Sequence, residues 1–373
     1  MPPVNLLIKP ASSLCNMRCR YCFYCDVAEN RNTASYGIMS PAVTEALVKN
    51  VFAHAKGSVS ISFQGGEPTL AGAGYFRHFH EMVDKYNTAR LPTAFSMQTN
   101  GYRMPEELAQ ILAEHKYLLG VSMDGMGKLH DILRPDSREE GTFRRVNETL
   151  HTLEKYGIDY NILCVITEQI AKNGAEVYKY FRSRNFKFVQ FIPYVPDFGR
   201  ESENHPFTLT NKQYARFLST TFRLYYEDFC RGQYISVRQF DNFIRLAAGM
   251  PTECCGMDGI CHANLVVEAD GSVYPCDFYV LDEWKIGNVN DHSIEEMFSS
   301  DTAQSFLRRS LKVDDACRQC RYFRLCRGGC ARYREPSGEN GLKRNKYCES
   351  YREFFDASMN KILRMAASLN NQK

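Results

Sequence analysis

The sequence predicts an α/β fold built on a parallel sheet, with a cysteine-rich module after it. Three observations predict it. Short apolar segments bounded by turn residues alternate with helix-period segments through the first half of the chain. Glycines and polar residues follow the strand candidates, as they do on the ligand-binding rim of such sheets. Fifteen cysteines cluster toward the two ends and leave a cysteine-poor middle.

The strand candidates are Asn5–Lys9, Ser58–Phe63, Thr93–Gln98, Leu118–Ser122, Asp159–Val165 and Phe188–Ile192. Each is short, rich in Ile, Val, Phe or Leu, and flanked by Gly, Pro, Asn or Asp. The helix candidates between them are Pro41–Ala55, Gly74–Tyr86, Pro105–His115, Thr142–Tyr156 and Gly174–Arg184. Ser40 before Pro41 reads as an N-cap with proline in the first turn, and Thr142 is expected to cap in the same way. Six strands alternating with helices imply parallel pairing through right-handed crossovers, in a sheet able to curl into a full or partial barrel. After residue 205 the pattern changes to helices at 211–230 and 239–248. A hairpin follows at Asn264–Val267 and Ser272–Pro275, around Asp270-Gly271, and then a last helix near Tyr351–Ala367. The expected division is a barrel over 1–205, a helical linker region over 206–250 and a cysteine-rich domain over 251–373.

Composition narrows the function. The net charge of +3 gives no reason to expect nucleic acid as a partner. No apolar run is long enough to span a membrane, and the N-terminus lacks the features of a signal peptide. A cytoplasmic location is therefore expected, where thiols stay reduced. Clustered cysteines in that setting point to metal or catalysis. Cys164 and Cys230, which stand apart, are expected to be buried small hydrophobes.

Cys15, Cys19 and Cys22 lie in a loop after the first strand, with Phe23 directly behind. Three thiolates hold three irons of a four-iron cluster and leave the fourth open to chelate a small molecule. Zinc is the alternative that spacing alone leaves open. The loop resembles the signature of the radical S-adenosylmethionine superfamily, and Gln64-Gly65-Gly66-Glu67-Pro68 follows the second strand where that superfamily contacts the methionine amine. The resemblance implies a partial (β/α)6 TIM-like barrel. It also implies S-adenosylmethionine contacts from Tyr21 at the adenine, Gly66 at the amine, Ser122 at the ribose or carboxylate, Arg134 at the carboxylate and Val195 at the adenine. A turn residue and a surface charge are the plainer readings of Ser122 and Arg134. Cys25 is read as a spare or redox-labile thiol, since a fourth ligand would close the open iron.

Cys317, Cys320, Cys326, Cys330 and Cys348, with Cys255, Cys261 and Cys276 upstream, resemble the SPASM domain of radical enzymes that modify peptides. The resemblance implies two auxiliary four-iron clusters, one on Cys255, Cys261, Cys276 and Cys330, the other on Cys317, Cys320, Cys326 and Cys348. Two structural zinc sites are the alternative. Cys254 beside Cys255 leaves an ambiguity of one position.

Asp277 directly follows Cys276, and a carboxylate there suits removal of a proton while a cluster takes an electron. A solvated loop acid or a turn cap is the other reading. This stretch, with Cys22-Phe23-Tyr24, Gln64 to Gly72 and Ser122-Met123-Asp124-Gly125, resembles the anaerobic sulfatase-maturating enzymes along essentially the whole chain. That family oxidises a Cys or Ser in a sulfatase segment, Cys/Ser-x-Pro-x-Arg, to formylglycine. By resemblance, a deoxyadenosyl radical takes hydrogen from the substrate Cβ, Asp277 takes the thiol or hydroxyl proton, and an electron leaves to an auxiliary cluster. Tyr24 and Gln64 are candidate substrate contacts. The implied partners are an unfolded or nascent sulfatase polypeptide and a low-potential donor such as a flavodoxin or ferredoxin, with no nucleic acid and no membrane. Two other readings compete: another SPASM-type peptide maturase, and a zinc-stabilised binding module. The cysteine loop begins at residue 15, and this speaks against a leader-peptide-binding domain before it.

Overall fold

The period-two segments of the first half fold as strands within a residue or two of their expected limits. In the computed structural model, which describes residues 4–198, 207–262, 264–334 and 344–370, the strands are β1 (Val4–Ile8), β2 (Val59–Phe63), β3 (Thr93–Thr99), β4 (Leu118–Ser122), β5 (Tyr160–Ile166), β6 (Phe188–Pro193), β7 (Ser236–Val237), β8 (Leu265–Val267), β9 (Ser272–Tyr274) and β10 (Gly287–Asn288). The boundary expected near residue 205 falls outside the described residues. The chain packs as two units: Met1–Met123 with His130–Asn161 and Ala263–Phe306, and Asp124–Leu129 with Ile162–His262 and Leu307–Lys373.

The first unit carries the order β10-β9-β8-β1-β2-β3-β4. β1, β2, β3 and β4 are parallel neighbours, with Ile8 opposite Phe63, Phe63 opposite Met97 and Thr99 opposite Val121. Buried and less buried residues alternate along β1 and β2, so one face meets the helices. Phe63 stands edge-on to Phe76 and Phe79 of the helix Gly72–Tyr86, with ring centroids 5.1 and 5.0 Å away. All three are wholly buried, and each contributes about 1.5–3 kcal/mol by leaving water. Ser40 caps the helix Pro41–His54 as expected, accepting a hydrogen bond from Val43 N. Thr142 does not: it occupies the N-cap position of Phe143–Lys155, but its hydroxyl donates to the Arg134 carbonyl at 2.6 Å. Burial beside an open carbonyl decided the hydroxyl's partner.

The expected hairpin is present as β8 and β9, antiparallel with Val267 opposite Val273. Its place in the sheet was not foreseen. β8 pairs in parallel with β1, Val267 opposite Ile8, so the segment carrying Cys276 and Asp277 is a continuation of the barrel sheet.

The second unit carries β5, β6 and β7 in parallel, with the helices Asn211–Cys230, Arg238–Ala247 and Cys348–Asn370. Thr210 and Gln213 close a capping box at the start of the first of these helices. Phe222 meets Phe240 at 5.1 Å and Phe354 at 5.3 Å, joining all three helices in one aromatic core. Cys164, inside β5, is fully buried as expected. Cys230 corrects the expectation of burial: it is exposed at the last position of its helix, where Asp228 turns inward instead.

Candidate active site

The cysteine loop connects β1 to the helix Phe23–Glu29, with Cys22 as N-cap. Backbone bonds pin it from outside: Arg18 N donates to Pro135 O at 2.8 Å, Arg20 N to Leu133 O at 3.0 Å, and Met17 bridges Asp136. Cys15 Sγ accepts from Met17 N at 3.4 Å and from Asn100 Nδ2 at 3.5 Å. Burial pushes the Cys15 thiol up. Cys25 lies in hydrogen-bond contact with Cys22.

Glu67 ties the loop after β2 to the end of β3. One of its oxygens accepts from Thr69 N, Thr69 Oγ1 and Thr99 Oγ1, at 3.1, 2.7 and 2.8 Å, and the other from Asn100 N at 2.7 Å. Gly66 N donates to Ser12 O at 2.8 Å and Glu67 N to Leu14 O at 2.7 Å, which lays this loop flat on the cysteine loop. A Cβ on Gly66 would stand 2.0 Å from Leu14 O, so only glycine permits the approach. Close beneath the cysteines, Arg134 donates to Tyr21 Oη at 2.6 Å. The guanidinium is buried, so a surface charge is not what Arg134 is. Ser122 is half-buried at the end of β4.

Asp277 begins a short turn after β9 and Cys276. Its Oδ2 accepts from Tyr24 Oη at 2.5 Å and from Gln64 Nε2 at 3.1 Å, and the same Gln64 nitrogen donates to Tyr24 Oη at 2.6 Å. Its Oδ1 is buried with no hydrogen-bond partner. Asp277 is thus neither a solvated loop acid nor a turn cap. Burial lifts its carboxyl above the usual range, against Lys9 and the Tyr24 hydrogen bond, which pull it down. Burial and the carboxylate raise Tyr24 far enough that it stays a donor. The Phe23 ring lies 4.0 Å from the Tyr24 ring and 4.9 Å from Phe278. Tyr279 packs against Phe306 at 5.2 Å.

The second unit gathers cysteines in two sets. Cys326 feels Cys348, Cys317 and Cys320, and Cys330 feels Cys255, Cys261 and Cys254; burial pushes Cys326 and Cys330 each up to about 12. Cys317, Cys320, Cys326 and Cys348 bound a cavity of about 360 Å³, closed on one side by Tyr351 and Phe355. Thiols held protonated by burial become ligands only when a cation displaces the proton. A cavity of this size, walled by four cysteines, fits a metal–sulfur cluster. Cys276 belongs to the first unit. Val195 is buried after β6, and its neighbours' carbonyls are held by Tyr333 on Pro193 at 2.5 Å and Tyr347 on Tyr194 at 3.0 Å.

Sequence reading missed Asn100, Lys9, Glu268 and Arg31. Asn100 follows a strand candidate, but nothing marked its amide as a partner of Cys15. Lys9 ended an apolar strand, where a lysine reads as the point at which the strand meets water; instead it is buried against Glu268.

Residues 10–173 match the Radical SAM superfamily, and residues 255–321 match SPASM, an iron-sulfur cluster-binding domain. The fold and the three-cysteine loop define a radical S-adenosylmethionine enzyme, with S-adenosylmethionine and iron–sulfur clusters as cofactors. The cysteine-type anaerobic sulfatase-maturating enzyme of Clostridium perfringens is 43% identical over 99% of this chain and 100% of its own. The serine-type enzyme of Bacteroides thetaiotaomicron is 26% identical over 95% of this chain and 89% of its own. The solved structure of native anSMEcpe with bound AdoMet and Cp18Cys peptide matches with a TM-score of 0.94 at 42% identity, covering 100% of both chains. The chain belongs to the anaerobic sulfatase-maturating enzymes.

Proposed function

We propose that this chain oxidises a cysteine in a sulfatase segment of the form Cys-x-Pro-x-Arg to Cα-formylglycine, with Asp277 as the base. The observation that carries the reading is the half-buried Asp277, with one carboxylate oxygen fastened by Tyr24 and Gln64 and the other buried without a partner. The higher identity to cysteine-type than to serine-type relatives supports cysteine as the substrate residue.

Cys15, Cys19 and Cys22 would hold the first cluster, and Tyr21, Gly66, Ser122, Arg134 and Val195 would contact S-adenosylmethionine. Cys255, Cys261, Cys276 and Cys330 would hold one auxiliary cluster, and Cys317, Cys320, Cys326 and Cys348 the other. When bound, these cofactors supply a hydrogen-abstracting radical at the first site and an electron acceptor at the auxiliary sites. The chain's own residues do the rest. Asp277 Oδ1 takes the thiol proton as hydrogen leaves the adjacent Cβ. Tyr24 and Gln64 fix the carboxylate and flank the substrate side chain. Phe23 and Phe278 keep water from the radical until the sulfur-bearing carbon is oxidised; hydrolysis to the aldehyde follows. Functionally the chain divides into 1–205 for radical generation, 206–250 as linker region and 251–373 for the auxiliary clusters. A flavodoxin- or ferredoxin-like donor would supply the initiating electron in the cytoplasm, without nucleic acid or membrane. Among the described residues no helix is long and apolar enough to cross a membrane.

The test is an anaerobic incubation of the loaded enzyme with reductant, S-adenosylmethionine and a Cys-x-Pro-x-Arg peptide, with the Ser peptide in parallel. Mass spectrometry is expected to find deoxyadenosine and a peptide aldehyde, more from Cys than from Ser. Deoxyadenosine with both peptides unchanged would reject the reading.

A further inference from the structure

Behind Asp277 lies a buried charge that the proposed chemistry leaves without a task. Lys9 follows β1 and is 1% exposed. Its ammonium is 2.9 Å from Glu268 Oε1. Arg31 donates to the same oxygen at 2.7 Å and, through its other terminal nitrogen, to Ala34 O at 2.7 Å and Ser12 Oγ at 3.3 Å. Burial pushes Glu268 up, but the two cations overcome it and hold its carboxyl at about 2.

One cation neutralises Glu268, and two are present. The cluster therefore holds one positive charge more than its own carboxylate balances, and an unmatched buried charge is costly. On the Arg31 side the Tyr36 ring lies 5.5 Å from the guanidinium, and on the Lys9 side two groups face the surplus. One is the ring of Tyr24, whose centroid is 5.2 Å from Lys9 Nζ; a ring face is the negative side of its quadrupole. The other is Asp277, which senses both Lys9 and Glu268 and accepts the Tyr24 hydroxyl. Room for the lysine is made by Gly65, at φ +121. A Cβ there would stand 3.1 Å from Lys9 Cβ and Cε and 2.9 Å from Ser12 O.

We propose that Lys9 is a positioning residue for oxidation of the peptide: clamped by Glu268, its ammonium holds the Tyr24 ring so that the hydroxyl bonds Asp277 Oδ2 and leaves Oδ1 turned toward the substrate thiol. The inference rests on the reading of Asp277 as the base. Each member fixes the next: Arg31 fixes Glu268, Glu268 fixes Lys9, Lys9 fixes the Tyr24 ring, and the Tyr24 hydroxyl with Gln64 fixes the carboxylate.

A purely structural lysine would only balance Glu268, and removing both charges would then restore the enzyme. The test compares wild type, Lys9→Met, the double variant Lys9→Met with Glu268→Gln, and Asp277→Asn, all anaerobically loaded. Iron per chain, melting temperature, deoxyadenosine and peptide aldehyde are measured for each. The double variant, which leaves Arg31 without its carboxylate, is expected to keep its iron and to melt at a lower temperature. Its aldehyde yield per deoxyadenosine should fall about tenfold, in kcat, with peptide KM within about twofold. Lys9→Met alone, which leaves Glu268 paired with Arg31, is expected to show the same loss of coupling with its melting temperature retained. A wild-type aldehyde yield from the double variant, while Asp277→Asn is impaired, would overturn the inference and leave the base reading standing. Loss of iron from the double variant would overturn it too, by assigning Lys9 to folding. A wild-type yield from Asp277→Asn would instead remove the base reading, and this inference with it.

Discussion

The loop of Cys15, Cys19 and Cys22 and the set of Cys317, Cys320, Cys326 and Cys348 offer the same thiol chemistry in different numbers. Around the first, polar groups converge: the Asn100 amide and the Met17 N–H reach Cys15 itself, and the Arg134–Tyr21 pair lies alongside. Around the second, the rings of Tyr351 and Phe355 share the cavity wall with Arg344, Arg352 and Asp356, and burial pushes Cys326 up to about 12. Three ligands among polar groups suit a site that binds and turns over a molecule. Four cysteines, if all are ligands, would leave no iron of a cluster open, which suits a site that exchanges only electrons.

Breaking the first region should do the most damage. Cys15→Ala is expected to abolish S-adenosylmethionine cleavage, read as deoxyadenosine; continued cleavage would remove the difference between the two sites. Gly66→Ala should come close behind, since its Cβ would meet the Leu14 carbonyl at 2.0 Å and push the two loops apart. Deoxyadenosine formation should collapse although iron content stays near wild type. Asp277→Asn should keep its clusters and still make deoxyadenosine, while aldehyde falls by about 10²–10⁴-fold, the usual worth of a positioned general base. Cys326→Ala tests the second region: iron per chain should drop by one cluster, and aldehyde should fall with cleavage retained. Equal loss of cleavage in that variant would show that the second set serves the first reaction directly. Tyr24→Phe should be mildest. It removes one hydroxyl donor from Asp277 and leaves Gln64 in place, a loss of about tenfold in kcat for the peptide.

The candidate metal ligands were legible because cluster chemistry calls for a rare residue repeated at close spacing. The strands were legible because burial of one face imposes alternation on local sequence. Asp277 was legible only through its neighbour Cys276 and the family resemblance. Its hydrogen bonds to Tyr24 and Gln64 join residues more than two hundred positions apart, and no local pattern encodes such a meeting. Thr142 and Cys230 were misjudged for a related reason: each was read from its own segment, while a distant carbonyl or the helix end decided its environment.

By itself, then, the amino-acid sequence determined the α/β alternation, the cysteine sets and the glycines of the loop after β2, since these follow from short-range sterics and ligand chemistry. Tertiary structure alone decided that β8 would extend the sheet beside β1. That pairing carries Asp277 to Tyr24 and buries Lys9 between Glu268 and an aromatic ring. The physical reason is that a charge's partner is set by what shares its dry interior, and that is known only once distant strands have paired.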